Sequence, residues 1–263
     1  MNRCHRLFNA LKSFARVMRF CMKPKFIPLT NTGYCDPSDQ PKSIVTWNIQ
    51  GLFYFMSKDK QDNIIRELQN FDQDIICLQE VFEDSLKELI IYELRDKYPY
   101  YLLGNVNKRY VVGDDSGLLV LSKYRIEFMR ELILDEYVFP DRMASKSIMY
   151  FKVGNLNLVT CHLQSNNMYD NNDISYRQIK MIKEKSPFDS YIVTGDLNHN
   201  EAYLLLDQFK NNYDRTWGET EILDYIVPIN YSTMNIRTQV SDMDISNTSD
   251  HYPLMCTIEY SSN

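Results

Sequence analysis

The chain has 263 residues, 44% of them hydrophobic, and a formal net charge of −6. That length and apolar share allow one domain with a substantial core. No run of 18 apolar residues occurs and the N-terminus lacks an uninterrupted apolar stretch, so neither a membrane-spanning helix nor a secretory signal is expected.

Seven basic residues, Arg3, Arg6, Lys12, Arg16, Arg19, Lys23 and Lys25, precede the first acidic residue, Asp36. The remainder carries 22 basic against 35 acidic residues, a net charge of −13. So acidic a body offers no basic stripe for tracking a polyphosphate backbone. The cysteines, Cys4, Cys21, Cys35, Cys77, Cys161 and Cys256, form no CxxC pair, which argues against a zinc site or a disulfide scaffold. Cys77, Cys161 and Cys256 lie in apolar runs and read as core residues of an intracellular, reducing compartment.

Residues 1–25 have apolar positions near helical spacing (Leu7, Leu11, Phe14, Met18, Cys21, Met22) among the basic ones, which predicts a basic amphipathic segment. A solvated tail or packed helix, a membrane-surface contact and an organelle-targeting segment all stay open for it. Residues 26–42, with Pro28, Gly33, Pro37 and Pro41, read as a linker. From 43 to 260, short apolar runs alternate with helical periodicity. Strands are expected at 43–48, 74–79, 100–103, 117–122 and 127–134, then a hairpin of 147–153 and 156–162 turning at Gly154-Asn155, then strands at 190–195, 222–228 and 254–260. Helices are expected at 60–71, 85–97, 175–185 and 201–209. Strands interleaved with helices, plus direct hairpins, predict a layered α/β (α+β) domain with mixed sheets.

Four polar islands follow the apolar runs: Thr46-Trp47-Asn48-Ile49-Gln50-Gly51, Leu78-Gln79-Glu80-Val81, Thr194-Gly195-Asp196-Leu197-Asn198 and Ser249-Asp250-His251-Tyr252-Pro253-Leu254. Asn48 and Glu80 offer the oxygen donors that Mg²⁺ favours. Asp196 and Asn198 are two apart and share a side if strand geometry continues, one to orient or deprotonate a water and the other to hold a phosphate oxygen. His162 ends one strand and His251 follows Asp250, suited to contacting a phosphoryl oxygen and managing a proton. Asp224 is an acid inside an apolar strand, and a histidine is its natural partner.

The ordered set TWNIQG, LQEV, GLLVLSK, TCHLQ, TGDLN, ILDYI and SDHYPL resembles the endonuclease/exonuclease/phosphatase family over residues 43–260. The resemblance implies a four-layered α/β sandwich, two mixed β-sheets packed face to face and flanked by helices. It also implies a phosphodiesterase using Mg²⁺, with Mn²⁺ as a substitute, and an in-line water. In that pattern Asn48, Glu80 and Asp250 belong to the metal. His162 contacts the phosphate and assists the leaving group, and Asp196 and Asn198 orient nucleophile and phosphate. His251 acts as base or electrostatic stabiliser, supported by Asp224. Asp114 or Asp115 is the acid available to pair with a site histidine. The TCHLQ, LDYI and SDHYP motifs are similar to those of neutral and bacterial sphingomyelinases, SDHYP equally to pancreatic deoxyribonuclease, and TWNIQG to tyrosyl-DNA phosphodiesterases. The substrate is therefore expected to be nucleic acid or a phospholipid head group. A sphingomyelinase-type phospholipase C and a catalytically silent binding module are the alternatives.

Overall fold

The computed structural model describes residues 32–52, 56–104, 115–138, 141, 144–165, 172–202, 206, 215–232 and 234–261. The expected amphipathic segment 1–25 and most of the expected helix 201–209 lie outside them. Residues 32–42 carry neither helix nor strand, yet they pack on the body. Gly33 donates its N–H to Ile126 O at 2.8 Å, and Asp39 O accepts from Asn155 N at 3.0 Å.

The strands are β1 (Ser43–Gly51), β2 (Ile75–Val81), β3 (Tyr100–Leu103), β4 (Leu119–Ser122), β5 (Ile126–Ile133), β6 (Ser147–Val153), β7 (Leu156–His162), β8 (Tyr191–Asp196), β9 (Asp224–Ile229), β10 (Met234–Val240) and β11 (Leu254–Tyr260). The described helices are α1 (Lys58–Asn70), α2 (Asp84–Leu94) and α3 (Asn172–Glu184). One sheet has the order β10-β11-β1-β2-β4-β3 and the other β5-β6-β7-β8-β9. Both are mixed, with β1–β2 and β7–β8 parallel and the other pairs antiparallel.

Strand alternation sorts the core into three layers of contact. Ile44, Ile75, Cys77, Val120 and Cys256 of the first sheet meet Met149, Phe151, Leu158 and Ile192 of the second. The alternate residues of the first sheet, Val45, Trp47, Ile76 and Leu78, pack under Ile64 and Leu68 of α1 and Ile90 of α2. Tyr150, Val159, Cys161 and Val193 back the second sheet and meet Ile179 and Ile182 of α3. The result is the expected helix–sheet–sheet–helix sandwich. No described helix is long and apolar enough to cross a membrane.

α1 forms because Ile64, Ile65 and Leu68 fall on one face and Ser57 caps its start, accepting from Lys60 N at 3.1 Å. β10 is a strand beyond those expected from the sequence, its half-buried Met234, Ile236, Thr238 and Val240 alternating with exposed Asn235, Arg237 and Gln239. It pairs with β11 through the full register Met234↔Tyr260 to Val240↔Leu254.

The face between the sheets changes character along each central strand. β1 runs Ile44, Thr46, Asn48; β2 runs Ile75, Cys77, Gln79; β7 runs Leu158, Thr160, His162; β8 runs Ile192, Thr194, Asp196. One end is thus greasy and the other polar, with buried hydroxyl and amide groups such as Gln79 Nε2 donating to Thr46 Oγ1 at 3.0 Å between. The polar end is where the site forms.

Candidate active site

The parallel pairs carry Asn48, Glu80, His162 and Asp196 out at the same end of the sandwich, and antiparallel β9 brings its first residue, Asp224, there. Register places His162 beside Asp196 and Asp196 beside Asp224. His251 arrives on the loop before β11, bridged to Trp217. Two glycines permit the close approach. A Cβ on Gly195, whose φ is +124°, would stand 2.1 Å from Cys161 O, and one on Gly51 would stand 2.3 Å from Glu80 O. Gln50, Glu80 and Asn198 have φ of 49°, 58° and 50°, so the backbone departs from ordinary strand geometry where the site begins.

The side chains form one hydrogen-bonded cluster around a cavity of about 240 Å³ bordered by Glu80, His162, Asp196, Asn198, Asp250 and His251. Asn48 Nδ2 donates to Glu80 Oε1 at 3.1 Å and to Asp196 Oδ2 at 3.0 Å, while its Oδ1 accepts from Gln50 N at 3.0 Å. His251 Nδ1 bonds Asp224 Oδ2 at 2.8 Å, which leaves its Nε2 facing Asp196 Oδ2 at 3.7 Å. His162 Nε2 lies 3.6 Å from Asp196 Oδ2 and 3.9 Å from Glu80 Oε1. The seven side chains expected from the first three islands, from His162 and from the Asp224–His251 pair thus meet in one place, and Asp250 borders the same cavity.

Asp196 and Asn198 meet the cavity by a different route from the expected one. β8 stops at Asp196, and Asp196 Oδ1 accepts Asn198 N at 2.9 Å, closing a local turn. Asn198 Nδ2 then donates to Leu163 O at 3.0 Å. A turn, rather than strand alternation, places the two together. Asp115 pairs with Lys87 and accepts from Gly117 N at 2.7 Å, so it is committed to the β2–α2 corner rather than to a site histidine. Asp114 lies outside the described residues.

Four residues were not singled out by sequence. Lys146, with only 2% of its side chain exposed, places Nζ 3.0 Å from His162 Nε2 and 2.9 Å from Asp141 Oδ1. Asp141 also accepts from Ser165 N at 2.6 Å and Gln164 Nε2 at 2.6 Å. Ser145-Lys146-Ser147 looks like a polar approach to a strand, and nothing local marks the lysine. Trp217 donates Nε1 to Asp250 Oδ2 at 3.2 Å, and Trp47 donates Nε1 to His251 O at 3.0 Å. Both tryptophans of the chain therefore hold the Asp-His dipeptide, and their rarity is a signal that could have been used.

Burial and charge set the protonation states. Burial raises Asp196 to about 7; Asp224 adds to the rise, while His251, the Asn48 hydrogen bond and Lys146 oppose it. Burial also raises Glu80, against its hydrogen bond from Asn48. For His251 burial disfavours the charge, yet Asp224 and Asp196 outweigh it and lift the ring to about 10. His162 goes the other way, pushed well below its ordinary value by burial and then by Lys146 and His251. Two imidazoles in one site are thus held apart, His251 as a cation and His162 neutral.

Glu80 Oε2 is buried with no hydrogen-bond partner among the described residues, and the carboxylate of Asp250 borders the same space, so this side of the site suits a hard divalent cation. The amide of Asn48 turns its nitrogen to the two carboxylates, and its oxygen is engaged by Gln50. Ligand atoms of Asp196, Asp224 and His251 also lie within 4.8 Å of one another. The direct Asp224–His251 bond accounts for that trio better as a charged dyad beside a third acid.

A two-sheet sandwich thus gathers carboxylates, amides and a charged imidazole at one end. Residues 45–251 match the profile of the "Endonuclease/Exonuclease/phosphatase family", and the chain belongs to that family. Among curated proteins it is similar to sphingomyelinase C 2 of Leptospira interrogans, 24% identical over 70% of this chain. The chain spans 39% of that relative's length. Among solved structures it is similar to a Staphylococcus aureus beta toxin mutant with bound magnesium ions, at TM-score 0.67 and 18% identity over 85% of this chain and 100% of the toxin chain. It is also similar to a humanized D. rerio TDP2, at TM-score 0.60 and 19% identity over 83% of this chain and 98% of the other.

Proposed function

We propose that this protein is a Mg²⁺-dependent phosphodiesterase whose substrate is a phospholipid head group of the sphingomyelin kind. The carrying observation is the pairing of an acid raised to about 7, Asp196, with a histidine locked as a cation by Asp224. Water attacks phosphorus opposite the leaving oxygen and its proton passes to Asp196, while the phosphorus–oxygen bond to the leaving group breaks and the leaving oxygen takes a proton from solvent water. The Asn198 amide orients a phosphate oxygen. The His251 imidazolium faces the negative charge that builds on the phosphoryl group, and Lys146 stands behind His162. His162, neutral and accepting from Lys146, takes part as a hydrogen-bonding group rather than as a proton source. Glu80 and Asp250 would hold the metal, with Asn48 bridging Glu80 to Asp196. Bound Mg²⁺ would supply Lewis-acid neutralisation of phosphate charge.

The preference for lipid over nucleic acid rests on charge. The cavity lining includes Glu80, Asp141, Asp196, Glu221 and Asp250, and Trp217 stands among them. An acidic, aromatic mouth favours a choline-like cation beside the phosphodiester over a polyanion. The similarity to a sphingomyelinase supports the same choice. Competition between sphingomyelin vesicles and single-stranded oligonucleotides, in Mg²⁺, tests the preference. Faster turnover of the lipid is expected; turnover of the oligonucleotide alone would reverse the assignment.

A further inference from the structure

Gln50, the last residue but one of β1, has φ +49°, a conformation unfavourable for a residue with a Cβ. What holds it there comes from α1. Lys60 Nζ donates to Gln50 O at 3.0 Å and to Gln50 Oε1 at 2.9 Å. The lysine is itself fixed at a capped helix start, its N–H bound by Ser57 Oγ. Held in this way, Gln50 offers its own N–H to Asn48 Oδ1, and the Asn48 amide is left one orientation, Nδ2 toward Glu80 and Asp196. The chain Lys60, Gln50, Asn48 therefore ends on the carboxylate that suits a cation and on the acid that suits a proton.

We propose that Lys60 is a positioning residue of this active site, acting through Gln50 to set the Asn48 amide and hence the spacing of Glu80 and Asp196. The inference rests on the phosphodiesterase reading. Lys60 is half-buried, and the charges of Asp250 and Glu80 act on it, so its ammonium stands near the cation side of the site without being one of its donors.

A bystander cation and a positioning residue predict opposite outcomes. Removing a bystander positive charge beside a Mg²⁺ site would tighten Mg²⁺ binding, because the two repel. Removing a positioning residue loosens it, as loss of partners behind a metal's ligands does, by about tenfold or more. The test is a Mg²⁺ titration of the full chain followed by tryptophan fluorescence, with Trp217 reporting through its bond to Asp250, alongside kcat and KM on sphingomyelin vesicles. Lys60→Met is expected to raise the half-saturating Mg²⁺ concentration about tenfold and to lower kcat with little change in KM, and Lys60→Arg to restore most of both. Lys60→Gln, a second uncharged variant, covers a folding loss in the first, with circular dichroism as the control. Unchanged or tighter Mg²⁺ binding by the uncharged variants overturns the inference, as does an arginine variant no better than methionine. A wild-type protein that neither responds to Mg²⁺ nor hydrolyses a phosphodiester removes the underlying reading, and the inference with it.

Discussion

Asp224→Asn isolates the charge that holds His251 protonated. The substitution keeps an oxygen able to accept from Nδ1–H while removing the negative charge 2.8 Å away. The rise of His251 from 6.5 to about 10 corresponds to roughly 5 kcal/mol in favour of the imidazolium, at about 1.4 kcal/mol per pKa unit. Burial works against that rise, and Asp224 is the larger of the two main carboxylate contributions. If Asp224 supplies about half of the net effect, its neutralisation lowers the His251 pKa by about 2 units. The expected readout is an NMR titration of isotopically labelled histidine, in which one ring of the variant titrates near 8 rather than near 10. The basic limb of the kcat/KM profile should move down with it, because the stabilising cation is present below its folded pKa and lost above it. A His251 resonance titrating at the wild-type pH, or a basic limb that does not move, would refute the reasoning.

The other predictions follow from single contacts. Asp196→Asn should reduce kcat by at least about 10³-fold. It should also raise Tm more at pH 8 than at pH 5: a carboxyl lifted from 3.8 to about 7 costs stability increasingly as pH rises through that window, and the amide carries no such cost. Scanning calorimetry at the two pH values checks it. Lys146→Met should let the His162 pKa rise, read by the same histidine titration. It should destabilise the fold by about 3 kcal/mol in urea unfolding, since half-buried Asp141 loses its cation. Gly195→Ala should give little soluble protein, because its Cβ would meet Cys161 O at 2.1 Å in a left-handed conformation; expression at lowered temperature with a folding assay checks that.

Much of the candidate site was legible because Asn48, Glu80, His162 and Asp196 stand at or near the ends of apolar strands. A buried run that stops abruptly in Asn, Glu, His or Asp has few structural explanations, and the parallel pairing of β1 with β2 and β7 with β8 then forces those ends together. Asp224 was legible for the complementary reason, as an acid inside a greasy strand that needed His251. Lys146 was not, because a lysine between two serines reads as a solvated approach to β6, and only the fold buries it beside His162. Of the two acids expected to pair with a site histidine, Asp115 serves Lys87 instead and Asp114 lies outside the described residues, and the described partner of His162 Nε2 is a cation. β10 is a regular alternation of moderate hydrophobicity, MNIRTQV, with half-buried rather than buried inner positions, too weak to register beside the strands of the core. Asn198 was placed in the right cavity by the wrong geometry, since a side chain to backbone turn is as local as strand alternation but leaves no periodicity.

Hydrolysis itself tests the central claim most directly. The purified 263-residue chain is incubated with Mg²⁺ and, separately, Mn²⁺ against sphingomyelin vesicles, plasmid DNA, RNA and a tyrosyl-linked oligonucleotide, in parallel with Asp196→Ala and His251→Ala. The account predicts metal-dependent release of product by the wild type on the lipid, absent in both variants and abolished by chelation. Wild type and variants equally inactive on all four substrates with both metals, or activity indifferent to the loss of Asp196 and His251, would contradict it.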